Sequence, residues 1–377
     1  MNAAPIAKLP HSLRCRILLY VDDPGVGGNA AYAQGLAAGL DAAGFAVVCV
    51  QSPNGGSHLG GSAADWRDPE PFTKVPLPYD TIGAFFHAAL DRRAPAEIFT
   101  REQPDVAIFS DSVPQSTAAA KLTAAAMDIP IIAVKHLVLA DNPWARIPAA
   151  RALVERSLAA SDMTLTVSQE NAETLRSLFA VDPARLRAVY NSAPPQFFAS
   201  PDLDARRRLR TEWGAGDDVM VVFTAGRLID QKGHDLQVRA IAALAAQGAL
   251  DRMLFVWAGE VDPARRAALE AGLSACGARD KVRFLGRRDD VHHCLDAADA
   301  FFLSSRGEGM PLSVIEAMAK GVPPLATAVS GIPEAVGDAG TLLPDPNHDP
   351  DAMVAAAVEA LRATMRSEEH TSELQSL

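Results

Sequence analysis

From about residue 16 onward the chain alternates short apolar runs with glycine-broken or amphipathic stretches. Arg16–Val21 (RILLYV) is rich in strand formers, the glycine-rich DDPGVGGNAAYAQGLAAGLDAAG follows, and a second apolar run, AVVCV, occupies Ala46–Val50. Strand, loop, helix, strand is a βαβ unit, which implies a parallel sheet. Ser52–Thr81 is dominated by Gly, Pro and Ser with Trp66 and Phe72 as isolated aromatics, and reads as a long functional loop. The pattern then predicts a helix near Ile82–Arg93, a strand at Val106–Phe109, a helix around Ser116–Met127 and a strand at Ile131–Val134. A helix through Arg146–Ala160, a strand at Met163–Ser168 and a helix at Gln169–Phe179 follow. Val189–Asn191 reads as the last strand, and Pro194-Pro195 punctuates the exit from a first domain over residues 16–195, behind an extension over 1–15.

The second half repeats the scheme. A charged helix, Leu203–Trp213, leads into the apolar strand Val219–Ala225, then the loop-helix GRLIDQKGHDLQVRAIAAL. Strands at Met253–Gly259, Val282–Gly286 and Ala300–Ser305 alternate with helices at Pro263–Cys276 and Val291–Ala297. Ser304–Glu334 then reads as strand end, loop, a helix with Pro311 as its first residue, a stop at Gly321 and another strand. A short strand at Gly340–Pro344 and a helix over Asp349–Met365 complete a second domain at 196–365. Two successive α/β sheets predict two Rossmann-like domains facing across a cleft.

Composition narrows the class. With 377 residues and 49% hydrophobic positions, the chain can fill two cores, and a net charge of −11 argues against a nucleic-acid binder. No apolar run reaches membrane-spanning length and the N-terminus lacks a signal-peptide block, so a cytoplasmic protein is expected, with peripheral contact at the inner face of a membrane left open. Cys15, Cys49, Cys276 and Cys294 are far apart and form no C-x-x-C pair, which points to buried thiols instead of zinc ligands or disulfides. Arg92–Arg93 and Arg206–Arg208 read as solvated helix charges. Residues 366–377 (RSEEHTSELQSL) look like an in-frame translation of a sequencing adapter and are set aside as a non-native tail, which implies a truncated natural C-terminus.

Candidate chemistry lies at predicted carboxyl ends of strands, where open parallel sheets bind ligands. Gly25, Gly27 and Ala30 satisfy a G-x-G-x-x-A spacing, but Gln51-Ser52 stands where a dinucleotide enzyme wants an acidic residue, and a tight turn explains the glycines as well. The Ile131–Val134 strand ends in Lys135-His136, and a lone histidine there is more often a hydrogen-bonded surface group than a catalytic one. Gly226-Arg227 and Lys232-Gly233 place two cations beside a helix N-terminus, a site suited to a diphosphate. Glu308, with Gly307 and Gly309 beside it, and Glu316 flank a second loop-helix element whose free amides suit an anion. Asp22-Asp23 and Asp289-Asp290 read as loop or cap carboxylates, and no D-x-D pair is placed as a metal site.

These motifs, in this order, resemble the family 4 retaining glycosyltransferases of the GT-B superfamily. The signature is E-x7-E, here Glu308 to Glu316, supported by GGN at Gly27–Asn29, VS at Val167-Ser168, VYNSAP, GRL…KG at Gly226–Gly233, VRFLG and GIPE at Gly331–Glu334. The resemblance implies that Arg227 and Lys232 bind the diphosphate of a UDP-, GDP- or ADP-sugar, that Glu316 accepts ribose hydroxyls and Glu308 donor-sugar hydroxyls. It further implies that Gly226, Gly309 and Pro311, with the backbone amides of Met310, Leu312 and Ser313, line the donor, that Gly27 and Gly28 close over its phosphates, that His136 contacts sugar or acceptor, and that Arg287 lies near the base. Charge stabilisation by cations and amides suits a departing nucleoside diphosphate, so no metal or other cofactor is expected. The acceptor is then a glycan, a lipid-linked saccharide or a small molecule. WAGE at Trp257–Glu260 departs from the family's G-x-G, and the missing C-terminal helices predict a destabilised chain. A same-fold epimerase or phosphorylase and a non-catalytic nucleotide-sugar-binding scaffold are the competing readings.

Overall fold

A computed structural model describes residues 15–21, 27–51, 73–76, 90 and 92–375, without side chains at 51, 73–76 and 366–375. The chain forms two compact units, residues 1–191 and 192–377.

In the first unit the strands are β1 (Arg16–Val21), β2 (Ala46–Gln51), β3 (Thr73–Pro76), β4 (Val106–Asp111), β5 (Ile131–Lys135), β6 (Met163–Thr166) and β7 (Leu186–Ala188). They pair in parallel in the order β3-β2-β1-β4-β5-β6-β7. Helices α1 (Gly28–Ala42), α2 (Arg93–Glu102), α3 (Ala118–Ala126), α4 (Pro148–Ala159) and α5 (Gln169–Leu178) supply the crossovers. Alternate residues of the central strands, Leu18, Tyr20, Ala107 and Phe109, bury one face of the sheet against Ile98, Phe99, Ala120 and Ala124. Such strands are covered on both sides, which is why they read as continuous apolar runs.

The second unit is a six-stranded parallel sheet of β8 (Met220–Ala225), β9 (Met253–Ala258), β10 (Val282–Gly286), β11 (Ala300–Leu303), β12 (Pro324–Thr327) and β13 (Thr341–Leu343), ordered β10-β9-β8-β11-β12-β13. Its helices are α6 (Leu203–Trp213), α7 (His234–Ala246), α8 (Pro263–Ala275), α9 (Val291–Ala297), α10 (Leu312–Ala319), α11 (Ile332–Val336) and α12 (Pro350–Gln375). Val221, Phe223, Leu254 and Val256 face a core shared with α6, α9, α10 and α11. Met220, Val222, Phe255 and Trp257 face the opposite core, built with α7, α8 and α12. Burying each such side chain contributes about 1.5–3 kcal/mol before chain entropy is charged against it.

Several expectations are corrected. The last strand of the first unit is Leu186–Ala188, not Val189–Asn191, because Asp182 caps a short turn at Pro183–Arg185 and starts the pairing with Thr164–Thr166 early. Val189 and Tyr190 are exposed. A strand, Thr73–Pro76, lies within the stretch read as loop, and a helix missed in the sequence runs Arg93–Glu102. The rest of Ser52–Thr81 and nearly all of the expected helix Ile82–Arg93 lie outside the described residues, as do Asp22, Asp23 and Gly25. Pro311 caps α10 instead of opening it. The final helix does not stop at Met365; its backbone continues to Gln375, through the segment set aside as a tail. Cys49 and Cys294 are buried, but Cys15 is exposed and Cys276 half-buried. Arg206 is no solvated charge: it donates to Asp299 Oδ1 (2.6 Å) and to the Asp296 and Ala298 carbonyls, tying α6 to the segment before β11. No helix among the described residues is long and apolar enough to cross a membrane.

Candidate donor and acceptor sites

Each sheet reverses its strand order once, between β1 and β4 and between β8 and β11. Connections leave a parallel sheet in opposite directions at such a point and open a crevice at the carboxyl ends of the strands. In the second unit, this brings together loop 226–233, after β8, and loop 304–311, after β11. Their backbones touch: a Cβ on Gly233 would stand 2.0 Å from the Ser304 carbonyl oxygen, and φ there is +67°. Glycine alone satisfies both conditions. A Cβ on Gly259, at the end of the neighbouring β9, would lie 1.8 Å from the Gly226 carbonyl oxygen. The glycine of WAGE therefore serves strand-end packing.

Side chains lace the two loops further. Ser304 Oγ donates to the Gly233 carbonyl (2.9 Å), Arg306 N to the Gln231 carbonyl (2.7 Å) and Gln231 Nε2 to the Gly307 carbonyl (2.7 Å). The Arg306 guanidinium grips Asp235, on α7, with both terminal nitrogens (3.0 and 2.6 Å). Within this frame Lys232 Nζ donates to Glu308 Oε1 at 2.5 Å, and Ser305 Oγ donates to the same oxygen at 2.7 Å. Glu308 is 7% exposed. Gly226 lies beside the Lys232 stem, its would-be Cβ 3.6 Å from Lys232 Cε.

Arg227 differs from Lys232: it is exposed and pairs with no carboxylate among the described residues. On α10, Val314 and Ala317 enter the core while Glu316 sits on the flank, half-buried and with no hydrogen bond or ion pair to its carboxylate among the described residues. Burial pushes Glu316 up to about 7. Gly309, Met310 and Pro311 are buried around the turn, and Leu312 and Ser313 are half-buried in the first turn of α10. Arg287, after β10, is half-buried with Asp289 Oδ1 3.7 Å from its Nε. His234, fully buried against Trp257 with both ring nitrogens unpartnered among the described residues, was missed; burial takes it down to about 3. Its only sequence signal was its place after Lys232-Gly233.

At the first unit's reversal point, Ser110 Oγ, on β4, donates its one proton to Asn29 Oδ1 on α1 and so accepts from His136 Nε2 (2.9 Å). Asn29 Nδ2 reaches the Ser110 carbonyl (3.2 Å) and Ser112 Oγ (3.1 Å). The Tyr32 ring meets His136 edge-on at 4.5 Å. Burial lowers His136 to about 4, so its imidazole is neutral at neutral pH. Gly27 and Gly28 stand at the start of α1, Gly27 as its extended cap. Directly behind lies a fully buried trio unseen in the sequence: Lys121 and Lys135 both donate to Asp111 Oδ2, at 2.6 and 2.5 Å, while Thr117 donates to Oδ1 (2.5 Å). Burial lowers Lys121 to about 7 against the pull of Asp111; the two lysines hold Asp111 low although burial works to raise it. Among the described residues no three His, Cys, Asp or Glu side chains gather to hold a metal ion.

Known proteins resemble both units. Residues 26–197 match the family model for Glycosyltransferase Family 4, and residues 205–373 that for Glycosyl transferases group 1. D-inositol 3-phosphate glycosyltransferase of Actinosynnema mirum is 34% identical over 217 residues, covering 55% of this chain and 51% of that protein. The enzyme of the same name from Stackebrandtia nassauensis is 31% identical over 233 residues, covering 57% and 49%. The chain thus spans about half the length of these relatives. Among solved structures, WaaG, a glycosyltransferase involved in lipopolysaccharide biosynthesis, has TM-score 0.71 at 18% identity, covering 93% of this chain and 90% of that one. Anabaena Alr3699/HepE in complex with UDP-glucose has TM-score 0.68 at 16% identity, covering 96% and 100%. The fold is the GT-B fold.

Proposed function

We propose that this chain, which carries a family 4 and a group 1 glycosyltransferase domain, moves a sugar from a nucleoside-diphosphate sugar to a glycan, lipid-linked or small-molecule acceptor. The observation that carries this reading is the reversal point of the second sheet, where the loop pair holds the exposed Arg227 and the Lys232–Glu308 ion pair, and the helix that follows the second loop carries Glu316, whose carboxylate has no partner among the described residues. Arg227 and Lys232 take the diphosphate, Glu316 the ribose hydroxyls and Glu308 the sugar hydroxyls. Gly226, Arg287 and the 309–313 turn line the rest of the donor.

Departure of the nucleoside diphosphate develops charge on phosphate, and cations with helix amides stabilise that charge best when already fixed in place. On this reading the transfer needs no divalent metal, and retention of the anomeric configuration is what the family resemblance implies. His136, neutral and held by Ser110, serves the sugar or acceptor as a hydrogen-bonding group.

The test is a screen of UDP-, GDP- and ADP-sugars, following nucleoside diphosphate release with and without an acceptor mixture and a chelator. Acceptor-dependent release from one donor class, unaffected by chelator, supports the reading. Tight donor binding with no turnover on any acceptor favours a scaffold, and no binding ends the proposal. Anomeric configuration of the product, read by NMR, tests retention.

A further inference from the structure

The Lys232–Glu308 ion pair has a consequence of its own. Resting on the donor assignment above, we propose that Glu308 is an internal competitor for the donor's diphosphate: the phosphate takes Lys232 from it, and the carboxylate so released is the one that receives the sugar. The two halves of the donor are thereby recognised as a unit instead of independently.

Geometry supplies each part. Lys232 Nζ is committed to Glu308 Oε1 at 2.5 Å, and the side chains are 17% and 9% exposed, so the pair is poorly screened by solvent. An anion that uses this ammonium must displace the carboxylate or share it. The backbones cannot move apart to do so. Gly233 abuts the Ser304 carbonyl, and the 231–235 and 304–307 segments are stitched by Ser304, Gln231 and the Arg306–Asp235 fork. Exchange is therefore a side-chain event: the Lys232 stem, which runs past Gly226, rotates while both loops stay put.

Glu308 does not lose its place when Lys232 leaves. Ser305 Oγ still donates to Oε1 at 2.7 Å, and Oε2 has no hydrogen-bond partner among the described residues. One oxygen is anchored and the other is open to accept a hydroxyl. A carboxylate freed of its cation is also a stronger acceptor for a neutral donor group, which is what a sugar hydroxyl offers.

This coupling predicts effects of opposite sign on two ligands. Replacing Glu308 removes the competitor, so a bare diphosphate should bind tighter, whereas a whole nucleotide-sugar also loses its sugar acceptor. Calorimetry with inorganic pyrophosphate and UDP as probes, on wild type, Glu308→Gln, Glu308→Ala and Lys232→Met, tests it. UDP-glucose is the whole-donor comparison. Either Glu308 variant should tighten pyrophosphate and UDP about tenfold, a 1.4 kcal/mol gain. The UDP-glucose advantage over UDP should disappear, and Glu308→Gln placed on Lys232→Met should tighten nothing. Two variants of different polarity guard against one misfolding, and thermal melting identifies such a case. If wild type binds the probes and both Glu308 variants bind them equally or more weakly, the competition is overturned while the donor site stands. If neither wild type nor any variant binds pyrophosphate, UDP, GDP or ADP, the donor assignment itself has failed.

Discussion

The carboxyl edges of the two sheets use charge in opposite ways. In the first unit Asp111, Lys121 and Lys135 are fully buried and answer one another, behind a neutral His136. In the second, among the described residues, Arg227 is exposed with no carboxylate against it and Glu316 is half-buried with no partner to its carboxylate, while Lys232 and Glu308 pair with each other. A buried charge must be paired to persist. A charge left unpaired at a strand-order reversal is instead available to a ligand. On the proposed reading, the contrast separates a frame from a donor-binding surface.

The largest effect expected is on the frame. Asp111→Ala leaves two buried lysines without a counter-charge and should cost about 3–5 kcal/mol of stability, measured by denaturant unfolding. A change under about 1 kcal/mol would mean the trio is more solvated than its geometry indicates. A subtler effect follows from proton linkage. Lys121 is held at about 7 against an ordinary 10.5, so between those values the unfolded chain binds more protons and stability rises with pH. Lys121→Met, which leaves a one-to-one pair, should remove that rise.

Glu316 gives the mirror image. Its value of about 7 lies above an ordinary 4.5, so across that interval the folded chain binds more protons and stability falls as pH rises. Glu316→Gln should flatten this fall and leave the Lys121 window unchanged. Equal pH profiles for wild type and the Gln variant would show that Glu316 is hydrated after all. The smallest effect belongs to the lacing. Arg306→Gln breaks a partly exposed fork and should weaken donor binding only a few-fold, with stability down by about 0.5–1 kcal/mol.

The sequence carried the alternation of strands and helices well, because strands covered on both faces leave apolar runs of four to six residues that need no partner to be noticed. It carried the 226–233 and 304–311 loops through their glycines and charges. What it could not carry is strand order, and so which loops meet: Lys232 and Glu308 are 76 positions apart and Asn29 and Ser110 are 81. Lys135 stood beside His136 unremarked, because a lysine at a strand end reads as solvated until Asp111 and Lys121 are brought to it. Val189–Asn191 misled because their apolar character was taken for pairing, when the capped turn at Asp182 had already begun the strand at Leu186.

The most direct test of the donor site is the affinity of Lys232→Ala and Glu316→Ala for the nucleoside diphosphate that wild type binds best among UDP, GDP and ADP, measured calorimetrically on folded protein. The account predicts that each substitution weakens binding by at least about tenfold. Unchanged affinity in both would contradict it.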